Sequence, residues 1–339
     1  MSPLGPGELA ECIAALPVAV DGHSVELGSV PVSGFYGDEP RPTAVLSLSG
    51  AGHVGLGENV DWTARDQWRF SQVCDEIVPP LAARGETTVG LMGAAIERSG
   101  AHPHHRAAIE AAVIDLALRR ADTDLFTLSG RSPRRVRFCR SIGRDEVDRE
   151  GPLACVESLL ARHAEARIKI DCPPGGWPEP IWEALASTER VVVVDFKRLG
   201  ATERVELAHR FLPDAWLEDP PVDLHALDGR AHHPWLSRVA LDGYVIGIAD
   251  LEDPPLLPAA VNVKAPRVGG PLEALAILER CRESAWAAYF GGMFEVGVGR
   301  RQARVLASLF TAEAWNDLGP LTDPAPKDLP LPGTTLGFG

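Results

Sequence analysis

The chain has 339 residues, 45% of them apolar, which allows a substantial core and excludes wholesale disorder. A formal net charge of −14 argues against duplex nucleic acid or an anionic membrane as a partner. No apolar run approaches about 18 residues, so no membrane span is expected, and the N-terminus lacks the basic start of a signal peptide.

Residues 1–133 read as an α+β unit. VPVSGFYG and RPTAVLSLSGAGHVGLGENV alternate apolar with small or polar residues, as antiparallel strands do. HHRAAIEAAVIDLALRRA, residues 104–121, is the clearest helix, with Ile109, Ala112, Val113, Leu116 and Ala117 on one apolar stripe. From 134 to 318 strands and helices alternate. The predicted strands are VRFCRSI, ARIKID, RVVVVDF, DAWLED, RVALDG, AVNVKAP and WAAYFGG. Helical stretches such as PLACVESLLARHA, ATERVELAHRFL and PLEALAILERCRE lie between them. Apolar, often β-branched strand interiors suit a parallel sheet covered by helices. Charges at the ends of many strands favour a barrel over a doubly wound sheet. Residues 319–339, rich in proline and glycine, read as an extended tail packing back on the N-terminal unit.

Five charged residues mark those strand ends at nearly constant spacing, twenty-odd residues apart: Lys169, Asp195, Glu218, Asp242 and Lys264. In a β/α barrel all strand ends face one mouth. Three carboxylates there suit magnesium as hard oxygen ligands. Lys169 and Lys264, on the second and sixth strands, would face each other as an acid/base pair. A metal-chelated carboxylate substrate then has an acidified α-proton, and desolvation with neighbouring cations would lower a lysine toward working pH. Glu295 is expected to orient Lys264, and the backbone N–H groups of Gly269 and Gly270, before a helix start, to receive a distal substrate carboxylate.

These residues resemble the enolase superfamily, and within it the muconate-lactonizing subgroup. Arg167-Ile168-Lys169 looks like the family's second-strand lysine motif, and Asp195, Glu218, Asp242 and Lys264 match its metal ligands and sixth-strand lysine. VNVKAPRVGGPLEAL and GGMFEVGVGRRQARVLASL look like o-succinylbenzoate synthases and N-succinylamino acid racemases. The resemblance covers about residues 40 to 320. It implies an N-terminal capping domain on a modified TIM barrel, (β/α)7β, with magnesium and α-proton abstraction from a small-molecule carboxylate. It also places Phe35 and Tyr36 in one substrate-covering loop and Gly55 and Trp62 near another.

Two positions depart from the family pattern. Where the family has Asp-Ala-Asn, this chain has Asp195-Phe196-Lys197, and where it has Asp-Glu-Ser, this chain has Asp242-Gly243-Tyr244. Strand periodicity puts Lys197 on the side of Asp195. There it could pair with a ligand carboxylate, weaken magnesium binding or bind a substrate anion. Three readings follow: dehydration like that of o-succinylbenzoate synthase, racemisation or epimerisation of an N-acylated amino acid or dipeptide, and a barrel that has lost metal catalysis.

Other signals are weaker. The six cysteines form no CxxC pair and read as scattered thiols in a cytoplasmic compartment. His102, His104 and His105 read as a solvated helix entrance, with no companion ligand nearby in sequence. No nucleotide-binding fingerprint is present. Barrels of this kind often associate, so a homo-oligomer is expected.

Overall fold

The computed structural model describes residues 2–31, 40–221 and 233–319. Near the N-terminus an antiparallel sheet of β1 (Gly22–Val30), β2 (Arg41–Gly50) and β3 (His53–Asn59) packs against two helices, α1 (Ala64–Ala82) and α2 (Pro103–Arg120). The strand pairing with β2 is Gly22–Val30, upstream of most of VPVSGFYG. Residues 32–39, and with them Phe35 and Tyr36, lie outside the described residues.

The expected single stripe on α2 is corrected by its burial. Residues Ala107–Ile109 and Ala111–Leu118 are all buried, because the helix has neighbours on several sides. Its alanines let β3 come close. A Cβ at Gly57 would lie 1.9 Å from the Ala108 carbonyl oxygen, and one at Gly55 would lie 2.2 Å from that of Ala112. Gly55 is therefore a packing residue of the sheet. Gly57→Ala is expected to destabilise the fold by about 3 kcal/mol or more, whereas Gly175→Ala, with open space around it, should be near neutral. Thermal melts of the two variants check this.

The rest is a barrel. Its strands are β4 (Cys139–Ile142), β5 (Arg167–Asp171), β6 (Val191–Asp195), β7 (Trp216–Glu218), β8 (Val239–Leu241), β9 (Ala260–Val263) and β10 (Ala287–Phe290). All neighbours pair in parallel, in sequence order. Helices α3 (Pro152–Arg162), α4 (Glu179–Ser187), α5 (Thr202–Phe211), α6 (Pro271–Glu283) and α7 (Val298–Phe310) belong to the same region. Closure comes from a very short eighth strand. Asn316 bridges Phe138 and Asp317 bridges Gly291, both in parallel. Their backbones bond to Arg137 and Cys139 on one side and to Phe290 and Gly292 on the other. This is the final β of the expected (β/α)7β architecture. Of the predicted tail, residues 320–339 lie outside the described residues.

Two glutamates join the N-terminal region to the barrel. Glu58, ending β3, accepts from Val296, Gly297 and Gly299 N–H groups at the start of α7, at 2.8–3.0 Å. Glu110, on α2, accepts from Leu272 N at 2.9 Å, in the first turn of α6. Helix N-termini offer free N–H donors and favour negative charge. Burial nevertheless dominates at Glu110 and pushes its carboxyl up to about 7, against the Leu272 bond that lowers it.

A carboxyl whose pKa is raised on folding contributes stability that is complete below its ordinary value of 4.5 and is lost as pH rises through about 7. Glu110→Gln should remove that component, worth about 3 kcal/mol. The gap between wild-type and variant melting temperatures should therefore shift in favour of the variant as pH rises from 5 to 8, and a pH-independent gap would count against it.

Candidate active site

The strand ends deliver the charged residues level with one another. Asp195 pairs in register with Asp171 on one side and Glu218 on the other. Asp242 directly follows β8 and Lys264 directly follows β9. All five residues of the predicted register are buried: Lys169, Asp195, Glu218, Asp242 and Lys264. Asp195, Glu218 and Asp242 each offer an oxygen within 4.8 Å of the others. Asp219 fixes the β8 end, its two carboxylate oxygens each accepting at 2.7 Å from the N–H groups of Asp242 and Gly243.

The carboxylates are held by cations and donors of the chain itself. Lys169 Nζ bonds Glu218 Oε1 and lies 3.1 Å from Asp195 Oδ2. Glu218 Oε2 accepts from Asn262 Nδ2 at 3.1 Å and from the Tyr289 hydroxyl. Asp242 accepts from Lys264 Nζ at 2.9 Å and from Arg267. Lys197 Nζ lies 2.5 Å from Asp195 Oδ2 and 3.3 Å from Asp171 Oδ1.

Burial alone would push Asp195 up, but Lys169 and Lys197 hold it well below the usual carboxylate range. Burial, with Asp195 and Asp242 nearby, pushes Glu218 upward against the pull of Lys169. The expected fall of the Lys169 pKa is reversed. Burial lowers it, but Glu218, Asp195 and Asp317 outweigh burial and raise it well above the ordinary lysine value.

Lys197 reaches Asp195 by a route other than strand periodicity. β6 ends at Asp195, and Lys197 and Arg198 both adopt left-handed backbone, with φ of 53° and 64°. That turn folds Lys197 back, so that its N–H also donates to Asp195 Oδ1 at 3.0 Å. Two consecutive left-handed non-glycine residues cost on the order of 1–2 kcal/mol each.

The remaining predicted site residues divide. Arg167 begins β5, and its guanidinium bonds the Glu189 carbonyl and lies over the Trp315 ring, at the opposite end of the strand from the carboxylates. The helix start after Gly269 and Gly270 is filled by the Glu110 carboxylate, and a Cβ at Gly270 would lie 2.2 Å from it. Glu295 accepts from Met293 N at 2.9 Å, while Lys264 donates to Asp242, so the expected Glu295–Lys264 hydrogen bond is not formed. Trp62 packs edge-on against Phe294, ring centroids 6.1 Å apart.

Several participants went unread in the sequence. Asp171 lies two positions after Lys169 in RIKID, and Arg267 closes KAPR, so both had a local signal. Asp317 accepts from Ser141 Oγ at 2.8 Å and lies 3.6 Å from Lys169 Nζ. It belongs to a strand too short to show any pattern.

Three buried carboxylates from neighbouring strand ends, all offering oxygen, fit a hard divalent cation as a donor set. Lys197, part-exposed and shared with Asp171, is the group that would have to give way at Asp195.

A parallel barrel with strand-end carboxylates and lysines, carrying an N-terminal α+β cap, is the fold of the enolase superfamily. A member of that superfamily from Listeria innocua Clip11262 matches with a TM-score of 0.75 at 21% identity, covering 94% of each chain, which shows the shared fold. In sequence, residues 11–128 match the domain of unknown function DUF8230 N-terminal domain and residues 132–322 its C-terminal domain, and the chain belongs to this family. The o-succinylbenzoate synthase of Enterococcus faecalis is 27% identical over 274 residues, covering 74% of this chain and 71% of the synthase. An N-succinylamino acid racemase from an Amycolatopsis species is 26% identical over 244 residues, covering 69% of this chain and 65% of the racemase. No helix among the described residues is long and apolar enough to cross a membrane.

Proposed function

We propose that this protein removes the α-proton of a small carboxylate substrate, with residues 1–133 capping a catalytic barrel of residues 134–318. The observation carrying this reading is the convergence of Asp195, Glu218 and Asp242 between two buried lysines on strands either side of them. A magnesium ion held by those three carboxylates would supply the charge that stabilises a developing enediolate.

The chain's own residues supply the rest. Lys169 takes the proton. Its present ion pairs keep it protonated, and once their negative charge is neutralised burial becomes the larger influence and brings it down. Asn262 and Tyr289 fix Glu218 from its other oxygen, so the carboxylate stays in place when Lys169 moves. Lys264, on the opposite side, faces the other face of the substrate as a cation. The Asn262 Oδ1 atom is buried without a partner, an acceptor available to a substrate donor.

The reaction most in keeping with the synthase relatives is dehydration, in which loss of a β-hydroxyl follows proton removal. The symmetric placement of two lysines favours a second reading, racemisation of an N-acylated amino acid, in which Lys264 returns a proton to the opposite face. Incubation with each substrate class in deuterium oxide separates them. Deuterium at the α-carbon without elimination indicates racemisation, and alkene product indicates dehydration. The absence of both exchange and turnover across the two classes, in protein with magnesium bound, would sink the proposal.

A further inference from the structure

Among the described residues one other cluster brings three metal-ligating side chains together, far in sequence from the barrel carboxylates: Asp61, His102 and His104. No companion ligand lies near these histidines along the chain, because Asp61 is more than forty residues away, just after β3. In the fold, α2 starts directly over it. His104 Nδ1 lies 2.9 Å from Asp61 Oδ1. The other carboxylate oxygen, Oδ2, is held at 2.7 Å by His105 Nε2 and at 3.1 Å by Asn59 Nδ2. His102 stands edge-on to His104, ring centroids 4.5 Å apart, and its Nδ1 makes only a 3.4 Å contact with the His104 N–H.

We propose that Asp61, His102 and His104 form a binding site for a borderline divalent metal ion of the zinc, cobalt or nickel class. Two imidazole nitrogens and one carboxylate oxygen are the donor set such ions select over magnesium, and they leave one position for water. With bonds of about 2.0–2.1 Å, tetrahedral ligands lie about 3.3 Å apart. The three donor atoms already lie within 4.8 Å of one another, so small side-chain rotations suffice. The supporting shell is in place, since His105 and Asn59 pin Asp61 Oδ2 and leave Oδ1 turned toward His104. The N-terminus of α2 opposes a cation here, and the Asp61 charge offsets it.

The ion would tie a particular corner of the cap. The Asp61 carbonyl accepts from Arg41, whose Nε donates to the Phe294 carbonyl at 3.3 Å, and Trp62 next door packs on the Phe294 ring. Phe294 belongs to the loop following β10. A metal at Asp61 would therefore brace the cap where it meets that loop.

The test is a titration of the full-length protein with cobalt chloride, followed by visible absorption and calorimetry, with the barrel carboxylates taken out of play in two ways. One uses the Asp195→Asn, Glu218→Gln double variant, and the other uses wild type in saturating magnesium. The expected result is one equivalent of cobalt in both, with binding weakened on the order of 10–100-fold by His104→Gln and by His102→Asn. His102→Asn retains a good helix N-cap, so it separates lost ligation from lost folding. Unchanged cobalt affinity in His102→Asn and His104→Gln, or no cobalt bound by wild type in saturating magnesium, would overturn the site.

Discussion

Lys169→Ala should slow α-proton exchange by about 100- to 10,000-fold, the usual contribution of a positioned general base. The residue is buried, touches two of the three candidate ligand carboxylates and has no exposed route to another role. Its removal also leaves Glu218 and Asp195 with one cation fewer, so the variant should bind magnesium at least as well as wild type. The two readouts move in opposite directions, which separates loss of a base from collapse of the site. Exchange at the wild-type rate in Lys169→Ala, measured by mass spectrometry in deuterium oxide, would mean that the proton leaves through another group and the proposed mechanism is wrong.

Lys197→Asn should tighten magnesium binding by about tenfold, equivalent to 1.4 kcal/mol. A unit charge about 4 Å from an ion is worth about 4 kcal/mol at an effective dielectric of 20. Lys197 is 42% exposed, so solvent screening reduces this considerably. A second effect acts on the backbone. Residue 197 has a φ of 53°, a conformation that asparagine tolerates better than lysine, so the variant should fold at least as stably. Calorimetry and a thermal melt check both. Equal affinity in the two proteins would show that Lys197 rests on Asp171 when the cation binds, and that its contact with Asp195 does not compete with the ion.

Most of the barrel was legible because its strands announce themselves twice. Runs such as VVVV carry the β-branched signal of a strand buried on both faces, and five of the seven predicted strands carry a charge near their end at similar spacing. The constellation of Lys169, Asp195, Glu218, Asp242 and Lys264 could be read from that spacing. What escaped lacked a local signature. Helix α1 carries Pro79 and Pro80 in its last turn, which hides it. Strand β1 is exposed over most of its length and so shows little apolar alternation. The groups that meet Leu272 and His104 come from distant segments, Glu110 and Asp61, and nothing near either position in the chain foretells them. Arg167 sits two positions from Lys169, but it begins β5 and its long side chain extends away from the carboxylates, where the Glu189 carbonyl and Trp315 hold it. Periodicity gives the face of a strand but not the direction in which a flexible side chain extends along it.

The brevity of the eighth strand bears on how the protein is made. A ribosome delivers the chain from its N-terminus, so seven strands can pair before Asn316 and Asp317 emerge. Until then β4 and β10 are the two rims of an open sheet, each with unpaired backbone groups able to recruit another nascent chain. Only a pair of residues stands between that open seam and a sealed cylinder. The same pair brings Asp317 to Lys169, so sealing the barrel and completing the surroundings of the proposed base are one event in the life of the chain.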